Sequence, residues 1–169
     1  IERFQCIWIP DRANNPLCGD LLLARFKIPA HFIGLLCRFK PVSAERQYDL
    51  IGIVSGPEPE RSRFARQLET YLIRQKQSAA LVGHAGNVKG ITYFLDPTTD
   101  ELGALLAAGG LIVSRAGYTT IMEMTVLRKK AVLIPTPGQF EQQYLASTIQ
   151  QGQLRFVSEA EFLTETAAE

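Results

Sequence analysis

Between residues 114 and 123 the chain gathers Ser114, Arg115, Gly117, Thr119, Thr120 and Glu123. They stand where an apolar run, 111–113, gives way through a tight polar turn, 114–117, to an amphipathic helix opening near Tyr118. Free backbone N–H groups at such a helix start, with about half a positive charge from the helix dipole, favour an anion. Gly117 lets the backbone approach it closely. Glu123 lies about one turn further on, on the side that can face the same mouth. A carboxylate there is suited to accept hydrogen bonds from a pair of sugar hydroxyls.

Other chemistries find less support. The glycine spacing matches neither GxxxxGK[ST] nor GxGxxG, which argues against ATP hydrolysis and against NAD or FAD binding. No GxSxG elbow appears. His31 and His84 lack neighbouring ligands, and the widely spaced Cys6, Cys18 and Cys37 form no metal pattern, so no metal and no cofactor are expected. The cysteines read as reduced thiols of a cytosolic protein.

The elements that must position these residues follow a regular alternation. Residues 49–54 form a continuous apolar run, as in a strand covered on both faces. A helix over 58–75 follows, with Phe64, Leu68 and Leu72 on one stripe. Strands are expected at 79–83, 91–95, 111–113, 131–135 and 154–157. A short helix capped by Thr98 or Thr99 runs to about residue 107. Another helix, over 139–151, buries Tyr144, Leu145, Thr148 and Ile149, with Gly152 as its C-cap. A last helix has Ser158 and Glu161 as a capping box. Upstream, 4–9 and 31–34 read as short extended pieces and 41–47 as a linker. Strands alternating with helices at this spacing predict an α/β fold, a Rossmann-like parallel sheet with helices on both faces. Ligands of such sheets sit outside the strands' carboxyl ends, here the loops 55–58, 84–90, 114–117 and 135–143.

The 169 residues suit one domain with a short appendage, and a net charge of +1 leaves no footprint for nucleic acid. No apolar run reaches membrane-spanning length and no signal peptide is visible. The chain opens at Ile1 directly in apparent strand, as expected of a piece of a longer protein.

Each candidate also has a plainer reading. Arg115 reads as a surface charge beside a turn, and Glu123 as a helix residue pairing with Arg128 or Lys129. Gln142 and Gln143 read as solvated residues at a helix start, and His84 as a loop residue. Tyr93 and Phe94 alternate in a strand, so at least one belongs to the core.

Taken as an ordered set, these residues resemble the C-terminal half of a GT-B glycosyltransferase. The nearest family is the glycosyltransferase 28 C-terminal domain, which contains the UDP-N-acetylglucosamine transferase of peptidoglycan synthesis. The resemblance is most specific over 111–146: Ser114-Arg115-Ala116-Gly117, then Thr120, Glu123, the strand 131–135, and Gln142-Gln143-Tyr144. Weaker similarity places Arg38 in the segment entering the second domain, 49–56 at the first strand and glycine loop, and 91–96 at the strand that cradles the base. Residues 1–33 then resemble the tail of an N-terminal domain, and 34–169 the nucleotide-sugar-binding domain.

The resemblance implies a hexosyl transfer from a nucleoside diphosphate sugar, UDP-linked, to an acceptor held by the N-terminal domain, which would also supply the general base. Phe94 and Leu95 would flank the base, and Glu123 would hold the ribose hydroxyls. Arg38, Ser55, Gly56 and the turn from Ala116 through Gly117 to Thr120 would contact the diphosphate, with Arg115 in the same donor-binding set. Gln142 and Gln143 would bind the donor sugar. It further implies a cytoplasmic location, with peripheral contact to the inner membrane face through the full-length protein. The chain departs from the family at Ser55-Gly56-Pro57, where Gly-Gly-Ser is usual. Pro57 has neither the hydroxyl nor the N–H of that serine. Either Ser55 substitutes for it, or phosphate binding is weaker or shaped differently. The resemblance leaves two other functions open, a nucleotide-sugar 2-epimerase and a non-catalytic donor-binding subunit of a split glycosyltransferase.

Overall fold

The run Tyr48–Ile53 (β3) is apolar at almost every position because it sits in the middle of a sheet with both faces covered. The computed structural model describes residues 4–22, 27–149 and 152–167. After β3 come α1 (Glu60–Arg74), β4 (Ala79–Val82), β5 (Ile91–Phe94), α2 (Thr99–Ala108), β6 (Gly109–Arg115) and α3 (Tyr118–Leu127). The chain continues through β7 (Lys130–Ile134), α4 (Phe140–Thr148), β8 (Leu154–Phe156) and α5 (Glu159–Ala167). Six of these strands form one parallel sheet in the order β5-β4-β3-β6-β7-β8. The chain lays β4 and β5 outward on one side of β3, then returns to lay β6, β7 and β8 on the other. Between β3 and β6 the order reverses, and a crevice opens there at the carboxyl ends.

Strand alternation divides the sheet's side chains between two cores. Ile51, Ala80, Ile112 and Leu133 face one core, shared with Leu106 of α2, Ile121 of α3 and Leu145 of α4. Leu50, Leu81, Val113 and Ile134 face the other, shared with Phe64 and Leu68 of α1 and Phe162 of α5. Helices therefore cover both faces, as expected from the sequence. Capping follows it too. The Thr98 hydroxyl accepts from Glu101 N–H at 3.3 Å while the Glu101 carboxylate accepts from Thr98 N–H at 2.7 Å. Ser158 and Glu161 do the same at α5.

Two expectations change. The strand read as 111–113 runs from Gly109 to Arg115, so Ser114 and Arg115 belong to β6 and not to a turn. Their backbones are held on both sides: Ser114 is in register with Ile53 and Leu133, and Arg115 with Ile134. Two hydrogen-bonded neighbours outweigh the turn preference of a polar pair. Helix α4 ends at Thr148 with an extended Ile149 (φ −79°), so Gly152 is not its C-cap; residues 150 and 151 lie outside the described residues. Leu145 and Ile149 are buried as expected, Tyr144 only partly, and Thr148 is exposed.

The N-terminal segment carries its own small parallel pair, β1 (Ile7–Ile9) with β2 (Ala30–Phe32). Asp11 is fully buried beside it and accepts from the N–H groups of Arg12, Leu17 and Cys18 and from Cys18 Sγ at 2.8 Å. Burial opposes the charge of Asp11, but the donors from Cys18 and Leu17 win and hold its carboxyl below the usual range. Burial and then that carboxylate push the Cys18 thiol up to about 11. Leu17 and Cys18 belong to the same buried cluster as Ile121 of α3 and Leu145 of α4, so this segment packs against the sheet domain.

Candidate functional site

The crevice between β3 and β6 holds a cavity of about 110 Å³. Ser55, Gly56 and Pro57 line it after β3, Arg115, Gly117 and Thr120 after β6, and Thr136, Gln139 and Gln142 after β7, with Glu60 closing one side. Gly56 has φ +98°, a backbone that side chains resist, and open space stands over it. Gly117 is the N-cap of α3 and offers no side-chain cap. The first-turn N–H groups have no carbonyl of their own helix to bond, and no acidic residue in that turn offsets the dipole. Ser55, Gly56, Gly117, Thr120 and Gln142 thus converge from three strand-to-helix junctions on one spot suited to an anion and to hydroxyls.

Gln142 is fixed there. Its Oε1 accepts from Thr136 N–H at 2.8 Å and its amide donates to Gln139. Gln143 points elsewhere, into a wider groove of about 380 Å³ with Pro135, Ser158 and Glu159. The Ser114 hydroxyl is buried and donates to the Ile53 carbonyl at 3.4 Å, tying β6 to β3 beneath the crevice. Ala116 is wholly buried and its N–H donates to the Ile134 carbonyl at 3.2 Å, so that amide serves the sheet.

Arg115 follows strand alternation to the α1–α5 face. Its Nη1 donates to Glu159 Oε2 at 3.1 Å and to the Pro135 carbonyl at 3.4 Å. Its guanidinium lies 4.0 Å from the Phe64 ring centroid. Glu159 also accepts from Arg63 Nη2 and Gln67 Nε2, each at 3.0 Å. Burial raises the Glu159 carboxyl, but Gln67 and Arg115 outweigh it and hold it below the usual range. Within this cluster the buried Arg115 Nη2 and Gln67 Oε1 have no hydrogen-bond partner.

Glu123 is buried one turn beyond Thr120 on α3 and pairs with Arg38, Oε1 to Nε, at 2.9 Å. Burial pushes its carboxyl up, and Arg38 offsets only part of that. Its ion-pair partner is thus not on its own helix, as the pairing with Arg128 or Lys129 would require; Lys129 Nζ instead donates to the Ala107 and Gly109 carbonyls at the end of α2. Phe94 packs edge-on against Tyr48 at 6.3 Å between centroids, while Leu95 is 58% exposed, and neither lines the crevice. Tyr93, on the opposite face, donates to Glu69 Oε1 at 2.8 Å.

Sequence reasoning missed Glu60, Thr136, Gln139 and Glu159. The loop at 135–143 was legible as a strand-end loop, and Glu159 as first-turn residue of a capped helix. Nothing in their spacing says that Glu159 meets Arg115 across 44 positions.

A parallel sheet in this order, with a polar cavity at its reversal point and an uncapped helix N-terminus facing it, is a Rossmann-like ligand-binding domain. The Glycosyltransferase family 28 C-terminal domain matches residues 58–166, and the chain belongs to that family. It is similar to the UDP-N-acetylglucosamine--N-acetylmuramyl-(pentapeptide) pyrophosphoryl-undecaprenol N-acetylglucosamine transferase of Methylobacterium nodulans, 34% identical over 71 residues, 42% of this chain and 18% of that protein. The same enzyme of a Bradyrhizobium species is 31% identical over 96 residues, 57% of this chain and 25% of that protein. The fold is shared with Spinosyn Forosaminyltransferase SpnP, with a TM-score of 0.57 at 14% identity, covering 96% of this chain and 48% of that one. The matches thus span a quarter or less of these two relatives, and the chain about half of the structural neighbour. No helix among the described residues is long and apolar enough to cross a membrane.

Proposed function

We propose that this chain is the donor-binding half of a glycosyltransferase that moves a hexosyl group from a nucleoside diphosphate sugar, UDP-linked, to an acceptor. The observation that carries this is the convergence of Ser55, Gly56, Gly117, Thr120 and Gln142 on one cavity at the sheet's reversal point. The diphosphate would lie against the first turn of α3 and the Ser55-Gly56 loop. There the free N–H groups and the helix dipole stabilise negative charge as it grows on the leaving diphosphate. Gln142, already oriented by Thr136, would present its amide to the donor sugar. Glu123 would take the ribose hydroxyls one turn along the same helix. Pro57 lines the cavity without a donor of its own, which leaves the phosphate on that side to Ser55. The UDP assignment draws on the relatives, whose names specify UDP-N-acetylglucosamine. Their names give an undecaprenol-linked acceptor, which supports peripheral work at a membrane surface, in this proposal the cytoplasmic one. The acceptor site and general base belong in this proposal to an N-terminal domain.

Calorimetric titration with UDP, UDP-N-acetylglucosamine, GDP and dTDP tests this, with Glu123→Ala as control. Saturable UDP binding that the variant weakens is expected. Equal binding of all four, or UDP binding untouched by the variant, overturns the ribose assignment and the choice of UDP.

A further inference from the structure

The family resemblance places Arg38 and Glu123 at the donor, and in the structure the two side chains hold each other. Glu123 exposes only 6% of its side chain, and its Oε1 is already engaged by Arg38 Nε at 2.9 Å. An ionised carboxylate can accept about four hydrogen bonds, but so little of the Glu123 side chain is open that the guanidinium stands in the way of a ribose diol, and the two compete for access. Arg38 is free to yield. It comes from the stretch between β2 and β3 that has neither helix nor strand, its side chain is 57% exposed, and its guanidinium also lies over the Phe39 ring, 4.8 Å from the centroid. The place it could yield to is close. Three helical residues separate Glu123 from Thr120, a rise of about 4.5 Å.

We propose that Arg38 makes the crevice selective for nucleoside diphosphates over nucleosides: it occupies the Glu123 carboxylate until a diphosphate at the α3 N-terminus draws the guanidinium away. This rests on the donor-site reading. A nucleoside must break the Arg38–Glu123 pair and gives the guanidinium no new anion, so its apparent affinity falls by the fraction of open pairs. A nucleoside diphosphate breaks the same pair and replaces it with a charge-assisted contact to phosphate. One residue thereby lowers affinity for the incomplete ligand and raises it for the complete one.

The test is binding of UDP and of uridine to the 169-residue chain and to Arg38→Ala, by calorimetry for UDP and ligand-detected NMR for uridine. Arg38→Ala is expected to weaken UDP about tenfold and to tighten uridine about threefold, so that the ratio of the two affinities collapses about thirtyfold. Uridine binding that is unchanged or weaker in the variant overturns the inference, even where UDP weakens, because Arg38 is then only a phosphate ligand. A wild-type chain that binds UDP with a ratio insensitive to Arg38 overturns this inference alone. A wild-type chain that binds neither overturns the donor-site reading together with it. Thermal melting accompanies each titration. If Arg38→Ala does not fold, Arg38→Lys carries the test, with uridine tightened and the ratio reduced at least about threefold, since an ammonium holds the carboxylate without the planar fork; an unchanged ratio overturns the inference there too.

Discussion

Two arginine–glutamate pairs flank the crevice, and they are built in opposite ways. Arg115 and Glu159 expose 7% and 11% of their side chains. Phe64, Pro135, Arg63 and Gln67 surround them, so neither partner has anywhere to go. Glu123 is equally buried, but its partner Arg38 stands mostly in solvent on an irregular segment. The enclosed pair joins β6 to α5 and serves as scaffold. The half-open pair has an exposed partner on an irregular segment and suits exchange with a ligand. Burial of both partners, and not the presence of a charge near a cleft, separates a strut from a binding group.

The largest effect is expected at the enclosed pair. Arg115→Ala leaves Glu159 buried with less compensation and is expected to cost about 3 kcal/mol of stability in urea unfolding. A loss well under about 1 kcal/mol would place Arg115 with the exchangeable group and erase the contrast. At the half-open pair the effect moves to binding. Glu123→Ala is expected to weaken UDP about tenfold or more, about 1.4 kcal/mol, by calorimetry. Remote from both pairs, Thr98→Ala removes the α2 cap and is expected to cost about 1 kcal/mol in the same unfolding assay with no change in UDP affinity. A changed affinity would mean that α2 feeds into the site.

The smallest effect concerns pH, and the two glutamates have opposite signs. The Glu159 carboxyl lies below its ordinary value of 4.5, so its stabilisation is full above that value and is lost as pH falls through the folded-state value. The Glu123 carboxyl lies above 4.5, so its ionised form costs stability that is recovered as pH falls toward 4.5. Unfolding followed from neutral to acid pH is expected to give a shallower stability loss in Glu159→Gln than in the wild type, and a steeper one in Glu123→Gln. Parallel slopes in the two variants would show that the pairs do not differ electrostatically.

Much of the fold was legible residue by residue. The apolar run around Ile51, the four-residue stripe of Phe64, Leu68 and Leu72, and the reciprocal caps at Thr98 and Ser158 are local signals that the structure retains. The end of β6 was not legible, because Ser114 and Arg115 are polar and only their neighbours Ile53 and Ile134 keep them extended. Of the residues that the family resemblance places at the donor, Ser55, Gly56, Gly117, Thr120 and Gln142 meet in the crevice along with Arg115, which faces it from the scaffold side. Phe94, Leu95 and Gln143 do not line it, Glu123, one turn along α3, and its partner Arg38 stand outside its lining, and Ala116 lies in the core.

Which elements form and which strand ends carry polar loops could be read from the chain alone, because helix stripes, strand runs, caps and glycine turns depend on residues a few positions apart. That β3 lies beside β6, and so which loops share a cavity, follows from the folded arrangement. The same arrangement alone decided that Arg115 turns inward to Glu159 while Arg38 reaches Glu123. Those pairings join residues 44 and 85 positions apart, and their geometry depends on strand order and on which face each side chain takes, which no local pattern encodes.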